Sequence, residues 1–423
     1  MGWFDLFEIT SALEEWFARN DDDLFDRINH RWTVVQLVIF AGLLSTDAYI
    51  DNPISCWVPV HFHDSWEKYT NSYCWVRNTY YVDFDEKISS NLDEREHHPI
   101  RYYQWVPLML LLQAIMFYAP IFIWRSLNSK TGINVNAIVE SAELYQRSDD
   151  LEERTKTLNF TVRLMDRYLG YRKHIIQRGF LNNFRDCQIG VQSCFSRLCC
   201  CCCGKKFGNY MSVLYIIIKV WFLLNAVSQF LILDAFLGHD YHFYGIHAIR
   251  SWLDGVDFGL AKRFPKVTLC DLDVRRLGNV QKYTVQCVLT INLLNQMIFL
   301  YLWFWLVMVM STTVIGLFMW IMRMSISRDK ATYIRTQLAS HPDFDFEPRR
   351  FDTDEFRSFV TEYLKQDGAL VLRLIDLNTN KLVVREVVGA LWENFRSRPL
   401  TPILPTTDAD PSTSATLPLR EKS

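Results

Sequence analysis

The eleven cysteines of this chain fall into two groups by spacing. Cys56 and Cys74 share one polar stretch, and Cys270 and Cys287 share another. An even set of thiols in such stretches suits a disulfide framework in an oxidising compartment. Four thiols allow three pairings, and counting does not choose among them. The second group is Cys187, Cys194 and the run Cys199, Cys200, Cys201, Cys202 and Cys203. Zinc needs ligands spaced to close a tetrahedron, which adjacent cysteines supply poorly. The run stands just before an apolar segment, a position that suits S-acylation. These thiols are expected to be reduced and cytosolic, with membrane proximity alone as the plainer reading and no metal expected.

Other reactive groups point away from catalysis. There is no His-Glu-x-x-His, no Gly-rich phosphate loop and no Gly-x-Ser-x-Gly, so neither enzyme nor cofactor is expected. His61, His63, His97, His98, His239, His242 and His247 gather in the two cysteine-bearing stretches. Solvated loop histidines are the ordinary reading, and pH sensitivity the alternative.

The elements that must position these groups are apolar. Segments 32–50, 103–124, 211–237 and 291–322 stand out, and the fourth carries no charge from Ile291 to Met322. A helix needs about 20 apolar residues to cross a bilayer core. Four such runs in one chain are rare outside membranes. A net charge of -2 gives no basic footprint for nucleic acid. The start carries Asp5, Glu8, Glu14, Glu15, Asp21, Asp22 and Asp23, which is unlike a cleavable signal peptide. Lys and Arg concentrate on one side of the segments: Arg19, Arg27, Arg31, Arg125, Lys130, Lys205, Lys206, Arg323, Arg328 and Lys330 among them. The positive-inside rule then puts both termini and the loop 125–210 in the cytosol. Stretches 51–102 and 238–290 lie outside, and they hold the paired cysteines.

The first outer stretch reads Asn52-Pro53-Ile54-Ser55-Cys56-Trp57-Val58-Pro59, then Ser65-Trp66-Glu67-Lys68-Tyr69 and Tyr73-Cys74-Trp75. It ends in Tyr102-Tyr103-Gln104-Trp105-Val106-Pro107 at the mouth of the second apolar segment. In these motifs the chain resembles the innexins, the invertebrate gap-junction family. The likeness covers roughly residues 1–330. It implies an all-α membrane protein: a four-transmembrane-helix bundle with disulfide-stapled extracellular loops and a helical cytoplasmic dome. It also implies octameric hemichannels, homomeric or mixed with other innexins, docking across two plasma membranes at a cell junction. Ions and small metabolites would pass. The family's pairing, carried onto this chain, is Cys56 with Cys287 and Cys74 with Cys270. The alternatives are an undocked hemichannel and a pore-less four-span scaffold. The outer stretches contain no Asn-x-Ser/Thr sequon, which leaves docking unobstructed.

Several roles follow from pattern and resemblance together. Gln36 and Asp47 lie within about 20° of each other on one helical face, with Phe40 and Leu43 between. That stripe is expected to line the pore; the alternative is a Gln bonded within the bundle. Lys219, the one basic residue of the third segment, which also carries Asp234 near its end, is expected to snorkel to the cytosolic edge or to pair inside the bundle. The segment 1–31 is apolar on one side, and the resemblance folds it into the pore entrance with Gly2, Trp3 and Phe4 narrowing it. Trp57, Trp66 and Tyr69 are expected at the docking face, though such aromatics also serve as a loop's own small core. Helical periodicity runs from Leu151 to Leu169, from Phe356 to Leu364 and from Val384 to Phe395. These amphipathic helices need partners and are expected to pack together within 125–210 and 323–398. The Thr-, Pro- and Ser-rich tail 399–423 is expected to be disordered.

Overall fold

The structure is a computed structural model that describes residues 21–49, 53–60, 62–82, 99–129, 134–180, 208–238, 240–255, 263–341 and 354–397. Among these, four helices are long and apolar enough to cross a membrane. They are α1 (Leu24–Tyr49), α3 (Val106–Ser129), α6 (Tyr210–Leu237) and α8 (Thr290–Ser325). All four extend past the apolar runs, α6 by a single residue. Helix α1 starts at Leu24 rather than near residue 32, with a π-helical turn over Ile28–Trp32. The charged residues there are helical and bonded, so an apolar count alone places the boundary too late.

Between the spans the bundle has one core. Leu37, Ala41, Leu44 and Ala48 recur at steps of three and four and form the buried ridge of α1. Phe117 of α3, Leu233 of α6 and Phe299 and Leu302 of α8 complete it. Most of the remaining span surface is apolar and exposed, for example Ile115, Leu231 and Phe318. That surface suits lipid or neighbouring subunits rather than water.

At one end the chain between the spans forms a sheet, a feature not anticipated from the sequence. Its strands are β1 (Ser55–Trp57), β2 (Thr79–Tyr80), β3 (Pro99–Ile100), β4 (Val267–Arg276) and β5 (Asn279–Val288). Their order is β1-β5-β4-β2-β3, with antiparallel neighbours. Alternation sets the register: Thr268, Cys270 and Leu272 are buried on β4, and Val285 and Cys287 on β5. Leu277 and Gly278 make the two-residue turn between them, both at positive φ (48° and 91°). Helix α2 (Asp64–Arg77) packs on this sheet, and α7 (Tyr244–Leu253) packs on α8. Gly245 makes the α7 contact possible, since a Cβ there would sit 2.0 Å from the Trp303 ring.

At the opposite end the helices form a second core. They are α4 (Val135–Arg147), α5 (Leu151–Phe180), α9 (Ser327–Ala339), α10 (Asp354–Ser358), α11 (Lys365–Asn378) and α12 (Lys381–Arg396). A π-helical segment, Phe359–Leu364, joins α10 to α11. Val162, Phe359, Val387, Val388 and Trp392 are buried together there. Asp367 of α11 accepts hydrogen bonds from the Ser212 amide and hydroxyl, both 3.0 Å. It therefore caps α6 from outside and fixes the helical end to a span.

Candidate functional site

The sheet end is held by cross-links between the two loops. Cys56 is bonded to Cys287, and Cys74 to Cys270. The first bond lies directly across a β1–β5 pair, and the second joins α2 to β4. All four residues are buried, with Ile54, Val285 and Leu289 around them. The sulfurs of Cys56, Cys74 and Cys287 lie close enough to resemble a metal site, but disulfide bonding removes them as ligands. Such links constrain the unfolded chain most when the bonded residues are far apart, and here the separations are 231 and 196 residues.

The cross-linked end exposes several large apolar side chains. Trp57 is 81% exposed and Tyr69 58%. Trp66 is half-buried, packed edge-on to Phe62, so it serves partly as the loop's own core. Two further residues escaped sequence reading. Val60 and Leu277 are fully exposed, and Leu277 sits at the tip of the β4–β5 hairpin. A leucine rarely adopts positive φ. The two-residue spacing before Gly278 was the available signal. Beside the hairpin, Phe62, Trp66, Tyr69, Thr70, Leu272 and Val274 line an apolar groove of about 130 Å³.

The Tyr102–Pro107 run joins this end to the bundle. Tyr102 donates to the Arg263 carbonyl at 2.9 Å and to Asn292 Oδ1 at 3.3 Å. Tyr103 is fully buried against Trp75, and burial pushes its phenol up to about 12. The Gln104 amide donates to the Trp75 carbonyl. Val106 is buried, Trp105 is exposed, and Pro107 lies in the first turn of α3, where its missing N–H costs nothing. Because Trp75 follows Cys74, the motif seats the disulfide end directly on α3.

On α1, the stripe of Gln36, Phe40, Leu43 and Asp47 lies about 90° round the helix from the buried ridge. Gln36 accepts a hydrogen bond from the Tyr301 hydroxyl at 3.2 Å, and Phe40 packs edge-on to the same ring. Leu43 is exposed and Asp47 half-buried. The stripe thus runs along the α1–α8 seam, with its lower half tied to α8. Gly2, Trp3 and Phe4 lie outside the described residues, as do Cys199 to Cys203.

Lys219 does not snorkel; it pairs inside the bundle, the second of the two expectations. It is buried at the start of α1, with its ammonium 2.6 Å from Asp23 and 2.8 Å from Asp26. Asp23 also caps α1 through the Asp26 amide and accepts from the Trp320 indole. Tyr215 donates to Asp26, and Asp22 is bonded to Arg27 and His30. The Asn378 amide donates to the Asp22 carbonyl, and Arg125 pairs with Asp21. Four elements thereby grip the start of α1: α3, α6, α8 and α11. Burial alone would raise the Asp22 and Asp23 carboxyls. The His30 hydrogen bond with the Arg27 charge, and the Lys219 ammonium, outweigh it and hold both below the usual carboxylate range. The signal in the sequence was three consecutive aspartates ahead of a span, matched by one lysine in another.

Comparison with known proteins places this architecture. The family model for innexins matches residues 22–395. The chain belongs to the innexin family. Among curated relatives, Innexin unc-9 of Caenorhabditis elegans is 34% identical over 390 residues, covering 92% of this chain and 96% of that protein. Innexin-3 of the same organism is 36% identical over 372 residues, covering 88% and 83%. Innexin-19 of Caenorhabditis briggsae is 32% identical over 404 residues, covering 90% and 88%. This innexin is a multi-pass membrane protein and a gap-junction channel component.

Proposed function

We propose that eight copies of this innexin, alone or with sister innexins, ring a pore in the plasma membrane and dock with a ring from the adjoining cell. The stapled sheet is the extracellular docking face, and both termini and the helical end are cytoplasmic. Two features support that orientation: basic residues cluster at the helical end, and disulfides at the sheet end. The ring is a conduit rather than a catalyst, since innexins are channel proteins.

One observation carries docking furthest. Two disulfides between the outer loops staple a sheet end on which Trp57, Val60, Tyr69 and Leu277 are exposed. A cross-linked surface with exposed aromatic and apolar groups lowers the ordering cost of a protein interface. Leu43 and Asp47 of α1 face the pore, with Gln36 and Phe40 at the seam behind them. Gly2, Trp3 and Phe4 narrow the cytoplasmic entrance. Cys199 to Cys203, shortly before α6, take acyl chains at the inner leaflet, where lipid surrounds the spans. Electrical recording from paired cells tests the reading: current should pass between two expressing cells and vanish when Cys56 or Cys74 is replaced by serine.

A further inference from the structure

Three cations from three helices converge where α8 ends. Arg323 lies in the last turn of α8, Lys330 on α9 and Arg373 on α11. With Trp320, Met324, Gln366, Ala369 and Leu370 they line a cleft of about 10 Å³. Arg373 is engaged: it donates to the Arg323 carbonyl at 3.1 Å and pairs with Asp329. Arg323 stacks on the Trp320 ring. Lys330 differs. It is only 8% exposed, and among the described residues its ammonium has no acceptor and no counter-ion. A cation that is partly desolvated and left unpaired on the wall of a cleft is poised to meet an anion there.

We propose that this cleft binds a phosphate-bearing anion, with one phosphate oxygen seated between Lys330, Arg323 and Arg373. The volume admits one water-sized group, so the phosphorus and the rest of the ligand stay at the mouth. Phosphate suits the donors because its oxygens accept charge-assisted bonds from several directions at once. The position suits it too. Arg323 stands two residues before the end of α8, where Met322 and Ile326 are exposed and a span leaves the apolar layer. Lipid phosphates lie at that depth, and soluble phosphates reach it from water. The unliganded cleft is electrostatically strained: burial first, then the Arg373 charge, lowers the affinity of Lys330 for its proton. An anion relieves both.

The test is thermal unfolding of the purified full-length protein in zwitterionic nanodiscs. It is run with a short-chain phosphoinositide in one arm and inorganic phosphate in the other. Wild type and Lys330→Arg should be stabilised, and Lys330→Gln should bind about tenfold more weakly, the loss expected for one charge-assisted bond. Stabilisation by the phosphoinositide alone assigns the site to a lipid headgroup; stabilisation by inorganic phosphate assigns it to a soluble anion. Without ligand, Lys330→Gln should be no less stable than wild type, because it removes an uncompensated charge. An unchanged response in Lys330→Gln, no response of wild type in either arm, or a ligand-free Lys330→Gln less stable than wild type overturns the proposal.

Discussion

The Lys219 ammonium lies 2.6 Å from Asp23 Oδ2, joining the third span to the residue that caps the first. Asp23 is the last residue before α1, so this contact sets where the first span begins. Lys219→Met should leave Asp23 and Asp26 facing each other without a cation. Breaking a buried pair from one side costs about 3–5 kcal/mol. The unfolding midpoint should fall accordingly, and Lys219→Met combined with Asp26→Asn should recover part of the loss, because an amide at that position can donate to the Asp23 carboxylate.

Acid should act on the same cluster in a narrow window. Asp22 and Asp23 titrate below the ordinary carboxylate value of 3.8 in the folded protein. A depressed folded value means their contribution is complete above 3.8 and is lost as pH falls further through the folded values. Asp22→Asn should therefore lower stability at pH 5, above that window. It should also flatten the stability profile below pH 3.8, as measured by unfolding midpoints across pH.

Much of this arrangement was readable in the residues. The four spans followed from apolar length, and the helical end from repeats such as Val384, Val387, Val388 and Leu391. The sheet was not legible, because β4 and β5 interleave Asp271, Asp273, Lys282 and Gln286 with their buried residues and resemble polar loop. Its strands exist through long-range pairing and the disulfides, which local pattern does not report. The Lys219 cluster was half legible. A lone lysine in a span announces a partner, but only folding shows that the partners stand nearly 200 positions earlier.

The pore face is open to chemical test. Cysteines replacing Leu43 and Asp47 should react with soluble thiol reagents in open channels, and current should fall as they do. Ser45→Cys should stay inert, since Ser45 lies about 180° from Gln36 and its hydroxyl bonds back to the Ala41 carbonyl. Equal modification at positions 45 and 47 would place the pore on another face. Asp47→Asn should weaken cation preference, and the effect should shrink at 1 M salt, where screening acts within about 3 Å.

The hairpin tip separates docking from channel formation. Leu277→Asp leaves the buried faces of β4 and β5 intact, so the protein should reach the surface and single cells should keep their current. Junctional conductance should drop at least tenfold, because a charge would enter an apolar interface. Normal coupling by Leu277→Asp would remove the tip from the docking face.

Whether the stapled sheet end joins two cells' channels is decided by paired-cell recording of wild type beside Cys56→Ser and Cys74→Ser. Wild type should show junctional current and neither variant any, with surface delivery checked by labelling. Wild-type protein that carries current in single cells yet never between pairs, or serine variants at the surface that couple as well as wild type, would contradict it.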